Sequence, residues 1–222
     1  MISHEMDPLV HSRSRLGSMS LALPSSNPDV RITGVDVLSD AWYTLRRVAF
    51  DYRDAHGEWN AQEREAYDRG NGATILLIDW DRRSVVLTRQ FRMPAYLNGH
   101  VDGVLTETAA GLLDDEDAET AIRREVEEET GYRVRSVRRL FELFMSPGSV
   151  TERVAFFVAE YTTADRISIG GGVADEDEHI EVVELGLDDA VDLIDSGEIC
   201  DGKTVLLLQW AQLHDQRRGS LC

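Results

Sequence analysis

The chain of 222 residues contains only two cysteines, Cys200 and Cys222. That is too few for a disulfide framework or a cysteine-built metal centre, and it suits a reducing, cytoplasmic setting. Basic charge is also scarce: 23 Lys and Arg stand against 41 Asp and Glu, a formal net charge of −18. Such a surface repels phosphate backbones and anionic lipid, which argues against nucleic acid and membranes as partners. No apolar run approaches the roughly 18 residues of a membrane-spanning helix. The six histidines show no ligand spacing. There is no internal repeat, no P-loop, no dinucleotide-binding fingerprint and no nucleophile elbow. If so acidic a chain handles a phosphorylated substrate, it needs divalent cations and a few placed arginines. What is present is an ordinary globular composition, 42% apolar, at a length that buries about 70% of the unfolded surface.

Residues 1–28 differ from the rest: Ser, Pro, His and Arg dominate and no apolar period is sustained. They read as a flexible tail, with Met19 as another possible start. Residues 29–70 read as a small β piece, with strands over Val30–Leu38, Trp42–Tyr52 and Glu58–Tyr67 and a hairpin turn at Asp54–Gly57. Three strands alone make a poor core, so this piece is expected to pack on the main domain or on a second subunit. Residues 71–218 read as the main domain. Strands are expected at Thr74–Trp80, Ser84–Arg92, Val104–Ala109, Val137–Met145, Arg153–Tyr161 and Ile180–Leu185. Ile75–Ile78 is continuously apolar, which suits a strand covered on both faces. Helices are expected at Asp117–Thr130, Leu187–Ser196 and Lys203–Arg217. Mixed strands with few helices, not in βαβ alternation, give the class α+β.

The informative segment is the helix over Asp117–Thr130. At about 100° per residue, Ala118, Ala121, Ile122, Glu125 and Glu129 share one narrow sector. The stripe that faces the core therefore ends in two glutamates. Buried carboxylates must meet a cation, an arginine or a proton. Clustered carboxylates with no lysine in the helix match the oxygen preference of Mg²⁺ or Mn²⁺. Arg124 and Glu128, four apart, can pair beside them.

These residues resemble a Nudix box. Arg124-Glu-Val-Glu-Glu-Glu-Thr-Gly-Tyr132 fills the pattern R-E-U-x-E-E-x-G-U, where U is aliphatic or aromatic. Glu116 matches the earlier glutamate, and Gly111 precedes it by five residues rather than six. Met145-Ser-Pro-Gly148 is similar to a turn of Nudix enzymes that hydrolyse ADP-ribose and related sugar nucleotides. Arg69–Ala73, Arg89–Arg92, the loop Gly170–Val173 and Asp201–Leu208 look most like the branch that cleaves GDP-mannose. The likeness runs from about Leu38 to His214.

The resemblance implies a Nudix-type α/β/α sandwich with a mixed sheet, plus the small N-terminal antiparallel sheet. It implies Mg²⁺-dependent hydrolysis of a nucleoside diphosphate sugar, with Mn²⁺ as a substitute. GDP-mannose (to GMP and mannose 1-phosphate) leads, and ADP-ribose (to AMP and ribose 5-phosphate) is the alternative. A non-catalytic sugar-nucleotide-binding module is the reading from another class. By resemblance, Glu125, Glu129 and the carbonyl of Ala110 hold metal and Glu128 supports them. Glu178 is the further ligand and Glu176 the general base, two roles open to exchange. Arg92 is the phosphate contact. Lys203 is either a second one or a helix-surface lysine. Glu152 is placed at the sugar hydroxyls. Trp42 either stacks on the base or packs in a core. Arg64 and Glu65 read guanine or ribose, reaching across a homodimer with exchanged N-terminal strands.

Overall fold

The structure is a computed structural model that describes residues 27–172 and 179–219. The expected tail, up to residue 26, and the acidic run that carries Glu176 and Glu178 lie outside the described residues. Three strands form the first sheet: β1 (Val30–Asp40), β2 (Thr44–Arg53) and β3 (Trp59–Asp68). They are antiparallel in the order β1-β2-β3. The second sheet holds β4 (Gly72–Asp79), β5 (Ser84–Phe91), β6 (Val104–Glu107), β7 (Ala109–Leu112), β8 (Arg138–Phe144), β9 (Arg153–Glu160) and β10 (Glu181–Gly186). Its main path is β10-β5-β4-β9-β8, with β6 on β5 and β7 on β4. Only β4 and β9 run parallel, so the sheet is mixed.

β4 carries the continuous apolar run, and helices cover both of its faces. Ile75 and Leu77 share one core with Ile122 and Val126. Leu76 and Ile78 share the other with Leu207, Leu208 and Ala211. β9 alternates likewise, sending Ala155, Phe157 and Ala159 to the first core and Val154, Phe156 and Val158 to the second. Each fully buried Leu, Ile or Phe contributes about 1.5–3 kcal/mol, so these two strands anchor the sandwich. The helices are α1 (Met93–Leu97), α2 (Ala118–Glu125), α3 (Leu187–Ser196) and α4 (Gly202–Gly219). α2 lies on one side of the sheet, α3 and α4 on the other. In α4, Thr204, Leu207, Leu208 and Ala211 are buried, a helical i, i+3, i+4, i+7 stripe.

Two departures from the expected elements shape the site. The strand expected over Val104–Ala109 is two strands, because the chain changes partner at Thr108: Glu107 pairs with Thr88 of β5, Ala109 with Ile75 of β4. The helix expected over Asp117–Thr130 keeps α geometry only to Glu125, and Val126–Thr130 forms a wider π-turn. Such turns are frequent at functional sites. Asp117 caps the start, accepting from the N–H groups of Glu119 and Thr120. Gly131, at φ 75°, ends it in the left-handed conformation expected of that glycine.

Candidate active site

The π-turn brings the last helical carbonyls against a glycine strap. Helix ends leave carbonyls that need partners. Here Gly171 N–H donates to Glu129 O at 2.8 Å and Gly172 N–H to Glu128 O at 3.1 Å. Ile167 and Ser168 N–H both donate to Gly131 O. The approach is so close that a Cβ on Gly170 or Gly131 would overlap backbone atoms of the other segment. The strap is thus tied to the backbone of two box glutamates, and it leads directly into the segment bearing Glu176 and Glu178.

The side chains of Glu129 and Glu125 lie against β7. Glu129 is buried, 5% exposed, and accepts a hydrogen bond from Ala110 N–H at 3.3 Å. N–H and C=O of one strand residue point to the same edge, so the Ala110 carbonyl shares the edge that faces Glu129. Glu125 lies across Gly111 so closely that a Cβ there would overlap its carboxylate. Glycine at 111 thus leaves the space the Glu125 carboxylate occupies.

Arg124 organises the other carboxylates, touching Glu116 at 3.3 Å, Glu125 at 3.1 Å and Glu128 at 2.9 Å. Burial alone would lower its pKa. The charges of Glu125 and Glu128, with hydrogen bonds to Glu116 and Glu128, outweigh burial and hold the guanidinium above its ordinary value. The pairing of Arg124 with Glu128 agrees with the i,i+4 spacing.

Glu125, Glu129 and the Ala110 carbonyl form an all-oxygen donor set, which suits a hard divalent cation. Among the described residues, no three His, Cys, Asp or Glu side chains gather into a cation-sized group. The set therefore offers two carboxylates and one carbonyl at the edge of β7.

Arg92 and Lys203 meet on Glu107, a residue not expected at the site. Arg92 Nε donates to Glu107 Oε2 at 2.7 Å; Lys203 Nζ lies 3.5 Å from Oε1 and 2.7 Å from Asp201. Lys203 is half-buried, so the plain helix-surface reading does not hold. Glu107 precedes Ala110 by three residues, so the residue that holds the two cations lies on the same stretch of chain as the Ala110 carbonyl.

Glu152 Oε1 lies 3.6 Å from Arg69 Nε, and Arg69 sits over the Tyr43 ring. Tyr43 packs edge-on to Tyr67 and to Trp42. A Cβ on Gly72 would stand 3.2 Å from Gly111 O and 3.5 Å from Glu152 Oε1, so Glu152 lies over the start of β4. Trp42 is 87% exposed, which excludes the core reading. Arg64 hydrogen-bonds within β3, to Glu63 O and Gln62 Oε1. Glu65, its neighbour in the strand, points to the opposite face. Among the described residues, no contact brings Arg64 or Glu65 onto the other site residues. A separate cavity of about 350 Å³ opens at the far end of β4, around Asp79, Asp81, Glu160 and Asp165, and contains none of these groups.

Glu107 had a faint signal in sequence, a single carboxylate inside the apolar run Val104–Ala110. Arg69 opened one of the segments that resemble the GDP-mannose branch, and Tyr43 had no signal beyond its place in a strand.

Fold and site together define the class. Residues 68–208 match the model of the NUDIX domain, and residues 29–67 match that of the GDP-mannose pyrophosphatase NudK N-terminal domain. The chain belongs to the NUDIX family. Its relatives include the GDP-mannose pyrophosphatase of Salmonella typhimurium, 55% identical over 176 residues, or 79% of this chain and 91% of that one. The GDP-mannose pyrophosphatase of Escherichia coli is 53% identical over 177 residues, 80% of this chain and 92% of that one. Among solved structures, the crystal structure of an ADP compounds hydrolase shares the fold, with a TM-score of 0.63 at 21% identity, over 87% of this chain and 98% of that one.

Proposed function

We propose that this chain is a Mg²⁺-dependent hydrolase, with Mn²⁺ as a substitute, that cleaves the pyrophosphate bond of a nucleoside diphosphate sugar. GDP-mannose, giving GMP and mannose 1-phosphate, is the leading substrate. The names of the relatives support it. ADP-ribose, giving AMP and ribose 5-phosphate, is the second reading, and the ADP compounds hydrolase that shares the fold favours it. The observation that carries the reading is the convergence of Glu125 and Glu129 on the edge of β7 at Ala110 and Gly111.

Glu125, Glu129 and the Ala110 carbonyl would hold the ion, with Glu178 as a further ligand. Bound there, a divalent ion supplies positive charge to phosphate oxygens and acidifies water. Arg92 and Lys203 bind the phosphates, for which guanidinium and ammonium donors are suited. Glu176 takes the proton from the attacking water as the general base. Glu128, fixed by Arg124, supports the ligands. Glu152 binds sugar hydroxyls and Trp42 stacks on the base.

The same reading divides the chain into a tail at 1–28, a dimer-forming β piece at 29–70 and a hydrolase domain at 71–218. The apolar face of the first sheet is paired from Val30↔Tyr52, Ile32↔Phe50 and Val35↔Val48. Ile32, Val35 and Tyr52 on it are exposed in a single chain. That supports a homodimer in which exchanged N-terminal strands bring Arg64 and Glu65 to the partner's site. The scarcity of cysteine supports a cytoplasmic location. No helix among the described residues is long and apolar enough to cross a membrane.

A panel of sugar nucleotides with product chromatography, run with and without EDTA, tests the reaction. Wild type should release GMP and mannose 1-phosphate only with divalent ion present. Glu129→Gln should lower turnover by about 10³-fold or more while leaving the unfolding midpoint intact. Near-normal turnover in that variant would remove the ligand assignment, and inertness on every substrate would remove the reaction.

A further inference from the structure

Glu107 ends β6 and is 5% exposed. A buried carboxylate without partners is costly. This one has two cations, one on each oxygen: Arg92 Nε at 2.7 Å from Oε2 and Lys203 Nζ at 3.5 Å from Oε1. The cations come from distant parts of the chain, the residue after β5 and the first turn of α4. Arg92 begins a five-residue helix with no capping hydrogen bond from its side chain, so α1 does not orient its guanidinium.

The neighbouring residues lock the same geometry. Thr108 N–H donates to Thr204 Oγ1 at 2.8 Å, and the Thr74 and Thr108 hydroxyls lie 2.8 Å apart. All three threonines are buried. Residues 107 and 108 therefore face residues 203 and 204 as two adjoining pairs, one ionic and one hydroxyl-bonded. Asp201 completes the cluster by accepting from Lys203, from Thr204 N–H and from Thr204 Oγ1. Arg92 and Lys203 against Glu107 and Asp201 are balanced in charge.

A carboxylate beside a phosphate site repels the ligand, so its benefit is orientation. Glu107 uses one donor of each cation. With Asp201 taking a second donor of Lys203, four of the five arginine N–H donors and one of the three lysine donors remain to point outward. We propose that Glu107 is a positioning residue: it holds Arg92 and Lys203 convergent, so that their remaining donors meet the two phosphates of a nucleoside diphosphate as one preset clamp. This rests on the reading that those two cations contact the phosphates. Preset donors spare the ligand the ordering of two long side chains.

The test is calorimetric binding of GDP-mannose and of ADP-ribose, in EDTA so that turnover is silent, to the full chain. Wild type, Glu107→Gln, Glu107→Asp, the Arg92→Ala, Lys203→Ala double and that double with Glu107→Gln added are compared. Glu107→Gln should weaken binding about tenfold or more, the effect of losing one charged hydrogen bond. Glu107→Asp, which keeps the charge but shortens its reach, should fall between. In the Arg92→Ala, Lys203→Ala double background, Glu107→Gln should add less than about threefold, because the residue acts only through those cations. A purely structural role would lower the unfolding midpoint and carry an undiminished loss into the double background; that result overturns the proposal, as does wild-type affinity in Glu107→Gln. Wild-type binding without metal-dependent product release would sink the hydrolase reading and leave the clamp standing. Turnover with unaltered affinity in Glu107→Gln would do the reverse. If neither nucleotide binds the wild type, the clamp falls too.

Discussion

β1 and β4 are both rich in apolar residues, yet all of β4 is buried while ten of the eleven residues of β1 are exposed. The difference lies in their cover. β4 is central, with α2 against one face and α4 against the other, and its apolar residues run without alternation through both cores. β1 is an edge strand on which Val30, Ile32, Val35 and Val37 fall on one face that no element among the described residues covers. An apolar face without cover is the mark of an interface. The second sheet can therefore hold buried glutamates in fixed places, and the first can only offer a surface.

The largest expected effect breaks that contrast at its centre. Ile75→Ala in β4 removes a fully buried side chain and should cost about 2–5 kcal/mol in urea unfolding. Ile32→Ala in β1 should cost under about 0.5 kcal/mol at protein concentrations low enough to keep chains apart. At high protein concentration the same change should lower both the midpoint and the sedimenting mass, if this face buries itself against a second copy. Equal costs for the two substitutions, independent of concentration, would mean that the first sheet has its cover within one chain.

A smaller effect sharpens the second half of the contrast, the claim that the covered sheet places the carboxylates. Gly111→Ala puts a methyl group where the Glu125 carboxylate lies. The clash is with the end of a flexible side chain, so the fold gives way cheaply and the carboxylate moves. Mg²⁺ affinity and turnover should fall about 10- to 100-fold with little change in the midpoint, read by calorimetry and product release. Unchanged metal affinity would show that Glu125 does not need the place that glycine leaves.

Much of this was legible in the residues alone. The run Ile75–Ile78 announced a strand covered twice, and Glu125 and Glu129 at the end of an apolar stripe announced carboxylates facing inward. Both signals are local, carried by period and composition. What was not legible depends on partners distant in sequence. The break at Thr108 exists because β6 and β7 pair with different strands. The π-turn at Val126–Thr130 is fixed by a glycine strap some forty residues on, and no propensity in Val-Glu-Glu-Glu-Thr encodes it. Glu107 looks like one stray acid in an apolar strand until Arg92 and Lys203 arrive from either side. α1 is too short for its period to be read.

The smallest expected effect lies where the two sheets join. Asp68, the last residue of β3, accepts from Arg46 of β2 at 2.9 Å, from Gly70 N–H and from Thr151 beside the second sheet. Burial raises the Asp68 pKa, but these hydrogen bonds and the Arg46 charge outweigh it and hold the carboxyl below its usual value. A depressed carboxyl stabilises the fold above the unfolded pKa of about 4, and that contribution is lost as pH falls through the folded value. Asp68→Asn should therefore cost about 1 kcal/mol at neutral pH, and the gap to wild type should close in acid. Urea midpoints measured from about pH 7 down to about pH 3 read this directly. A gap that stays constant across the range would mean that the junction owes nothing to the charge on Asp68, and that the first sheet is held to the second by the Tyr67–Val150 bridge and its backbone hydrogen bonds alone.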